Sequence, residues 1–448
     1  MRITIKKGLD IPIEGQPEQI ISEGPEVRTV AAVATDVSGI RPRMAVQVGD
    51  RVRRGQALYR DKRNPEVPFS APGTGEVIEI NRGARRALQS VVIRLDGDDS
   101  EEFQSYSAEA LTNLGRQEVR DNLVASGLWT TFRTRPFSRI PGPNDTPAAI
   151  FVTAIDTRPL AADPAVVIAE NPEAFRNGLQ VLSRLTDGAV YISTAPDSGI
   201  DCPDGEPFRH AEFAGPHPAG LPGTHIHFLE PVSLSKTVWH IGYQHVMGIG
   251  KLFTSGRLST ERVIALGGPM VLKPRLIRTR VGASTVDLLQ GETRPGQLRV
   301  ISGSVLAGHR AAGPLAYLGR YETQVGVLTE GAEREFLAFM MPGIHKYSAS
   351  RSYAGHLLHR GPFAMTTTQN GSPRAMVSIG SFERVMPLDM LATPLLKALL
   401  VEDTDRAQQL GCLELAEEDL ALCSFVCNGK HEYGAYLRMN LDEIEANG

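Results

Sequence analysis

The segment Gly127-Leu-Trp-Thr-Thr-Phe-Arg-Thr-Arg-Pro-Phe-Ser-Arg-Ile-Pro141 sets three aromatic side chains, Trp129, Phe132 and Phe137, beside three arginines, Arg133, Arg135 and Arg139. The whole chain holds two tryptophans in 448 residues, so the grouping is a local concentration of rare side chains. Aromatic faces stack flat rings. A guanidinium stacks on such faces and also donates forked hydrogen bonds to carbonyl or anionic oxygens. Trp129, Phe132, Arg133, Arg135 and Phe137 are therefore candidates for a surface that holds a flat, carbonyl-bearing ligand. The same residue types also make an interdomain anchor, with rings buried and arginines paired to carboxylates. Spacing alone favours the anchor.

Histidines form the second grouping. His210, His217, His225, His227, His240 and His245 are six of the chain's eleven. Thr224-His-Ile-His-Phe-Leu229 reads as a strand, which would turn His225 and His227 to one face because side chains alternate. With His217 they could hold zinc. No acidic residue stands where it would orient a ligating imidazole, and the spacing favours loop hydrogen bonds over metal. Cys423 and Cys427 would lie one turn apart on a helix over residues 416–427. Their C-x3-C spacing, with only Cys412 near in sequence, is not that of an iron–sulfur site, and a buried thiol pair is expected. After the apolar run Ala148–Ile155, the chain reads Asp156-Thr-Arg-Pro-Leu-Ala-Ala162. It has no glycine there, so its backbone cannot closely approach a dinucleotide pyrophosphate.

These residues need elements to carry them. The first hundred residues alternate short apolar stretches with Gly and Pro, as in an all-β sandwich. Val48–Lys62 and Pro68–Val77 resemble the hammerhead sandwich of biotinyl and lipoyl carrier domains. That likeness makes Lys62, after Asp61, a candidate modification site. Arg63-Asn64-Pro65 departs from the small residues around a lipoylated lysine, and an unmodified Lys62 on an exposed turn is expected. Residues 107–126 have helical spacing. Ala148–Ile155 and Gly188–Thr194 are continuous apolar runs suited to parallel strands buried on both faces, and a helical pattern over residues 173–185 separates them. From Glu261, a strand pair, a short helix near Val286–Leu289 and a strand at Leu298–Gly303 suggest a β-grasp module. Helices are expected at residues 388–400, 403–410 and 416–427, with Pro387 and Asp403 as start signals.

Composition narrows the partners. The net charge of −4 comes without a long basic block, which argues against nucleic acid. Four cysteines are too few for a disulfide framework and fit a reducing compartment. No run approaches the ~20 apolar residues of a membrane helix, and Met1–Gly8 lacks the apolar core of a signal peptide.

Several stretches together resemble one family. They are Ile5-Lys-Lys-Gly-Leu-Asp10, Ser126–Ser138, His217-Pro-Ala-Gly-Leu-Pro-Gly-Thr-His-Ile-His227, Glu417-Glu-Asp-Leu-Ala-Leu-Cys-Ser-Phe-Val-Cys427 and Gly429-Lys-His-Glu-Tyr-Gly434. The family is the A-subunit of the bacterial Na+-translocating NADH:quinone reductase, and the likeness runs end to end. It also looks like a relative of the flavin-carrying subunits of complex I and of the Rnf complex. The resemblance implies a peripheral subunit on the cytoplasmic face of the inner membrane, in a complex of six subunits that oxidises NADH, reduces ubiquinone and exports Na+. NAD, flavins and iron–sulfur centres would sit on other subunits. This chain would bind no cofactor tightly, would meet the other five subunits, especially the membrane B-subunit, and would contribute to ubiquinone binding. The relatives carry a glycine-rich flavin loop where this chain has Trp129–Phe137, whose bulk would exclude a flavin. The alternatives are a pure assembly scaffold or a carrier using a modified Lys62. The expected organisation is multidomain α/β. A biotinyl/lipoyl-like sandwich spans residues 1–103, a Rossmann-like domain without a flavin loop 104–257, a β-grasp module 258–330 and a helical domain 331–448.

Overall fold

A computed structural model describes residues 1–331 and 340–447. Part of the expected C-terminal domain, residues 332–339 and 448, lies outside the described residues. The described chain is a mixed α/β, multidomain protein with four sheets.

The sandwich packs a four-stranded sheet (Thr29–Val33, Leu88–Gly97, Thr74–Arg82, Arg51–Val52) on a three-stranded one (Pro42–Met44, Ala57–Asp61, Pro68–Ser70). Val30, Val52, Leu58, Val77, Val91 and Ile93 fill its core, and Tyr59 stacks on Phe69 at 4.6 Å between ring centres. Lys62 is exposed, just past Ala57–Asp61 on the turn toward Pro68–Ser70.

The second sheet runs Arg2–Thr4, Phe208–Ala214, Val190–Thr194, Ile150–Ala154, Val238–Gly242, Arg133–Arg135. All neighbours are parallel except Arg133–Arg135, an antiparallel edge on Val238–Gly242. The expected apolar runs form its centre because helices cover both faces. Asn171 caps the helix Pro172–Leu182 by accepting a hydrogen bond from the Ala174 amide at 2.9 Å, with Pro172 in the first turn. That helix crosses Tyr243–Ser255 at Gly178 and Gly250. A Cβ on either glycine would run into the opposite backbone, at the Val246 or Ala174 carbonyl.

The third sheet runs His309–Arg310, Leu298–Ser302, Gln324–Thr329, Glu261–Gly267, Arg275–Arg280, Glu18–Glu23. Helices Ser381–Val385, Ala392–Leu400, Thr404–Gln409, Ala421–Val426 and Tyr433–Asn447 share one C-terminal core. Asp403 caps its helix as expected, accepting from the Arg406 amide at 3.1 Å.

Within residues 1–103, Arg2–Thr4 pairs with the parallel sheet and Glu18–Glu23 with the third sheet. Such pairings are long-range and leave no local signal. Residues 224–229 are not a strand but the end of the helix Pro222–Leu229. Pro222 in the first turn presets helical φ there, and a short apolar run does not distinguish helix from strand by its period. The helix expected over 416–427 is divided: a 3-10 turn covers Glu417–Leu420 and the α-helix covers only Ala421–Val426.

Candidate functional site

The Trp129–Arg139 segment lies where the four units meet. Gly127 ends the helix Arg116–Ser126 in the left-handed conformation, φ +76°, and any side chain there would strike Ser70 of the sandwich. The chain then turns inward. Trp129 is 1% exposed and Phe132 is fully buried. Both rings pack on Trp239, at 5.4 and 5.3 Å between ring centres, and the Trp129 indole donates to the Pro141 carbonyl at 2.9 Å.

The three arginines diverge along the edge strand. Arg133 is half-buried, lies over the Tyr321 ring at 4.4 Å and donates to the Asp36 carbonyl at 3.4 Å. Arg135 is wholly buried and donates to Ser138 at 2.7 Å and to His240 Nε2 at 2.8 Å. Its Nη2 stands 3.5 Å from Asp419 and 3.9 Å from Glu418. Arg139 pairs with Glu445 at 2.6 Å and Asp442 at 2.8 Å on the last helix. Phe137 is half-buried against the C-terminal core, and its carbonyl accepts from Arg438 at 2.9 Å. Of the five side chains expected on a ligand face, Trp129, Phe132 and Arg135 are thus inside the protein. Apolar rings gain from burial, whereas the Arg135 charge is costly to bury and depends on the carboxylates beside it.

Strand order locates the opening they frame. From Ile150–Ala154 the chain steps outward through Val190–Thr194 to Phe208–Ala214, then returns to place Val238–Gly242 on the other side of Ile150–Ala154. In open parallel sheets, ligands bind beyond the strand ends at such a reversal. A cleft of about 510 Å3 lies there, within the size range of small-molecule sites. Arg133, Asp156, Arg158, Tyr321, Glu322 and Glu418 are among its lining residues. Trp129 and Phe132 point into the core and do not line this cleft.

The cleft is strongly charged. Arg158 sits between Asp156 at 3.1 Å and Glu418 at 2.6 Å, and these carboxylates outweigh burial to hold its pKa above the usual arginine value. Burial raises Asp156, against the pull of Arg158. Burial also pushes the Glu322 carboxyl up to about 7, against Arg158 and with help from Asp36. The Glu322 carboxylate makes no hydrogen bond among the described residues. Burial raises Asp419 to about 6, although Arg135 opposes the shift. His240, buried beside Arg135, is held well below the ordinary imidazole value and stays neutral. Two lining polar atoms, Gln324 Oε1 and Thr153 Oγ1, are buried without partners. The cleft therefore offers fixed guanidinium donors, free acceptors and one carboxyl poised near neutrality.

The histidine candidates are not brought together. His217 meets Thr157 at 3.1 Å, His225 meets the Ala219 carbonyl at 2.9 Å and His227 meets Glu414 at 2.8 Å. On a helix His225 and His227 point to different faces, so the shared strand face is lost. Burial holds His217 and His225 at about 3. Among the described residues no group of three His, Cys, Asp or Glu is placed to hold a metal. All four cysteines are free. Cys427 lies 3.3 Å from the Tyr433 hydroxyl, and burial raises Cys423 to about 12.

Sequence reasoning missed Asp36, Arg158, Tyr321, Glu322 and Glu418 as lining residues. Arg158 had a usable signal, since it follows a parallel strand at the turn where such sheets bind ligands. Asp36, Tyr321 and Glu322 arrive from other units and had none.

Three family models match: the NqrA N-terminal barrel-sandwich hybrid domain over residues 3–96, the NqrA second alpha/beta domain over 114–258 and the NQRA C-terminal domain over 263–313. The chain is 57% identical over 446 residues to the A-subunit of Na(+)-translocating NADH-quinone reductase from Shewanella frigidimarina (strain NCIMB 400), with 100% of each covered. It is 57% identical over 449 residues to the same-named protein of Pseudomonas aeruginosa (strain UCBPP-PA14), again with 100% of each covered. Among solved structures, an NAD+-reducing NiFe hydrogenase in the H2-reduced state is similar at TM-score 0.35 and 13% identity over 50% of this chain and 49% of that one, too loosely to carry an argument.

Proposed function

The chain belongs to the A-subunit family of the Na+-translocating NADH-quinone reductase, and from that premise we propose that it is a subunit without redox groups of its own that lends the cleft at the strand reversal to quinone. The observation that carries this is Arg133, laid on Tyr321 and facing a cleft that also holds Glu322. A quinone ring offers a flat face and two carbonyl acceptors. Arg133 supplies a donor within reach of such a carbonyl, and Glu322, held near neutrality by burial, supplies a proton to a reduced oxygen. Trp129, Phe132 and Arg135 act behind this surface, fixing the edge strand that carries Arg133. Phe137 ties the strand to the C-terminal helices. Lys62 stays unmodified in this reading, and no metal is involved.

The partners are the other subunits of the complex, with the membrane B-subunit closest to the quinone, at the cytoplasmic face of the membrane. Among the described residues no helix is long and apolar enough to cross a membrane, which suits a peripheral position. The parallel-sheet unit, residues 104–257, is read as Rossmann-like and residues 258–330 as β-grasp-like, with residues 331–448 as the helical domain. The sandwich takes the rest of 1–103, less the two strands it lends to its neighbours.

The test is Arg133→Ala in the assembled complex. Quinone KM should rise and sensitivity to quinone-site inhibitors should fall, with complex yield unchanged. Unaltered quinone kinetics would refute the assignment. A second reading, a pure assembly scaffold, is favoured by one observation: the same short segment touches the sandwich, the third sheet and the C-terminal helices. It predicts reduced complex yield with normal kinetics in the complexes that form.

A further inference from the structure

A second cavity of about 360 Å3, adjoining the first, opens where the sandwich, the parallel-sheet unit and the third sheet meet. Leu128, Val167, Met247, Leu258 and Val281 give it apolar walls. Part of its lining is the helix Tyr243–Ser255 at Gly248. A Cβ built on Gly248 meets no heavy atom within 4 Å. Glycine inside a helix is unfavourable, and this one makes no close contact that would require it. It leaves space.

Three guanidiniums line the same cavity, those of Arg262, Arg320 and Arg278. Arg262 is 4% exposed, and its Nη2 reaches His245 Nε2 at 2.9 Å and the Arg320 carbonyl at 3.3 Å. Its Nε and Nη1 make no hydrogen bond among the described residues. Arg320 donates from Nη2 to the Gly127 carbonyl at 3.1 Å, while its Nε is buried without a partner. Neither guanidinium forms an ion pair among the described residues, whereas Arg278 at the same cavity is paired with Glu170 and Glu261. Burial lowers Arg262 to about 10, which leaves it charged at neutral pH. Asp36 lies near Arg320 and Glu322 near Arg262, but neither makes a direct ion pair with the guanidinium. A buried charge without a direct partner is costly, and a guanidinium presents the fork that a carboxylate fills. A free phosphate would answer the charge but leave the apolar walls and the space over Gly248 unused.

We propose that this cavity binds a small aromatic monocarboxylate, its carboxylate held by Arg262 with Arg320 beside it and its ring seated over Gly248 and Met247. The inference does not rest on the quinone reading: the two cavities share Arg262, His245, Gln244 and Thr131 in their walls, but Arg133 and Tyr321 line only the other cleft, and Gly248, Met247 and Arg320 line only this one.

Calorimetric titration of the purified full chain with 2-naphthoate and benzoate tests it. 2-Naphthamide serves as the neutral isostere and inorganic phosphate as the competing anion. Saturable binding at one site per chain is expected for 2-naphthoate, weaker for benzoate. Arg262→Gln should weaken it by at least about tenfold, the loss of a charge-assisted hydrogen-bonded pair. Gly248→Leu should abolish it by filling the space, while its urea unfolding curve shows the fold intact. The proposal is overturned if neither carboxylate binds saturably, if 2-naphthamide binds equally well, if phosphate alone binds, or if Gly248→Leu keeps wild-type affinity.

Discussion

Gly248 and Gly250 stand two residues apart on one helix, and replacing each by alanine should move stability in opposite directions. At Gly250 a Cβ would fall well inside the 3.0 Å that real Cβ atoms keep, against the Ala174 carbonyl and with the Gly178 amide nitrogen at 2.8 Å. Both obstacles are backbone of the facing helix Pro172–Leu182, so neither can rotate away. The helices must part, and overpacking of this kind costs about 1–3 kcal/mol. The gain in helix propensity from glycine to alanine is about 1 kcal/mol. The steric cost wins, and Gly250→Ala should destabilise by up to about 2 kcal/mol. At Gly248 nothing opposes the new methyl, so Gly248→Ala should stabilise by about 0.5–1 kcal/mol. The chain's only tryptophans, Trp129 and Trp239, both lie in the core that contains these helices. Tryptophan fluorescence therefore reports the unfolding of this unit. With a urea dependence of about 2 kcal/mol per molar, the two midpoints should separate by roughly 1 M, Gly250→Ala below wild type and Gly248→Ala above it. A stabilised Gly250→Ala would refute the account of the helix contact, and a destabilised Gly248→Ala would refute the reading of open space beside it.

Removing the Arg135 side chain leaves Asp419 without its buried partner, while Glu418 keeps Arg158; Arg135→Ala should cost about 3 kcal/mol, read as a lower urea midpoint and a lower yield of assembled complex. Glu322 has a folded pKa raised above its unfolded value, so the folded state holds the extra proton. Its contribution to stability is present below about pH 4.5 and is lost as pH rises toward about 7. The stability of Glu322→Gln should consequently fall less than that of wild type across this window; parallel pH profiles would show that the carboxyl is not perturbed. Intact-mass measurement of chain isolated from its native source should give the unmodified polypeptide mass, and an added lipoyl or biotinyl mass would reopen a carrier role for Lys62.

Continuous apolar runs announce Ile150–Ala154 and Val190–Thr194, because strands covered on both faces cannot alternate with polar residues. Asp403 announces its helix because a cap acts within one turn. Residues 224–229 mislead because six residues do not separate a helical period from an alternating one, and Pro222 settles the matter from just outside the stretch. The sheet partners of Arg2–Thr4 and Glu18–Glu23 are unreadable for a different reason: they lie more than two hundred residues away.

The same division governs the candidate site. The sequence by itself determined the family, through long motifs spread from end to end, and it determined that aromatic and arginine side chains gather at residues 129–139. Only the tertiary structure decided which of them face a cleft. Period and spacing say how a side chain points relative to its own element, not what the other elements lay against it. Trp239 draws Trp129 and Phe132 inward, Asp419 and His240 hold Arg135 beneath the surface, and Tyr321 keeps Arg133 at the cleft wall. Packing settles such choices, because burial of apolar area and compensation of charge are properties of the assembled fold and not of any local stretch of chain.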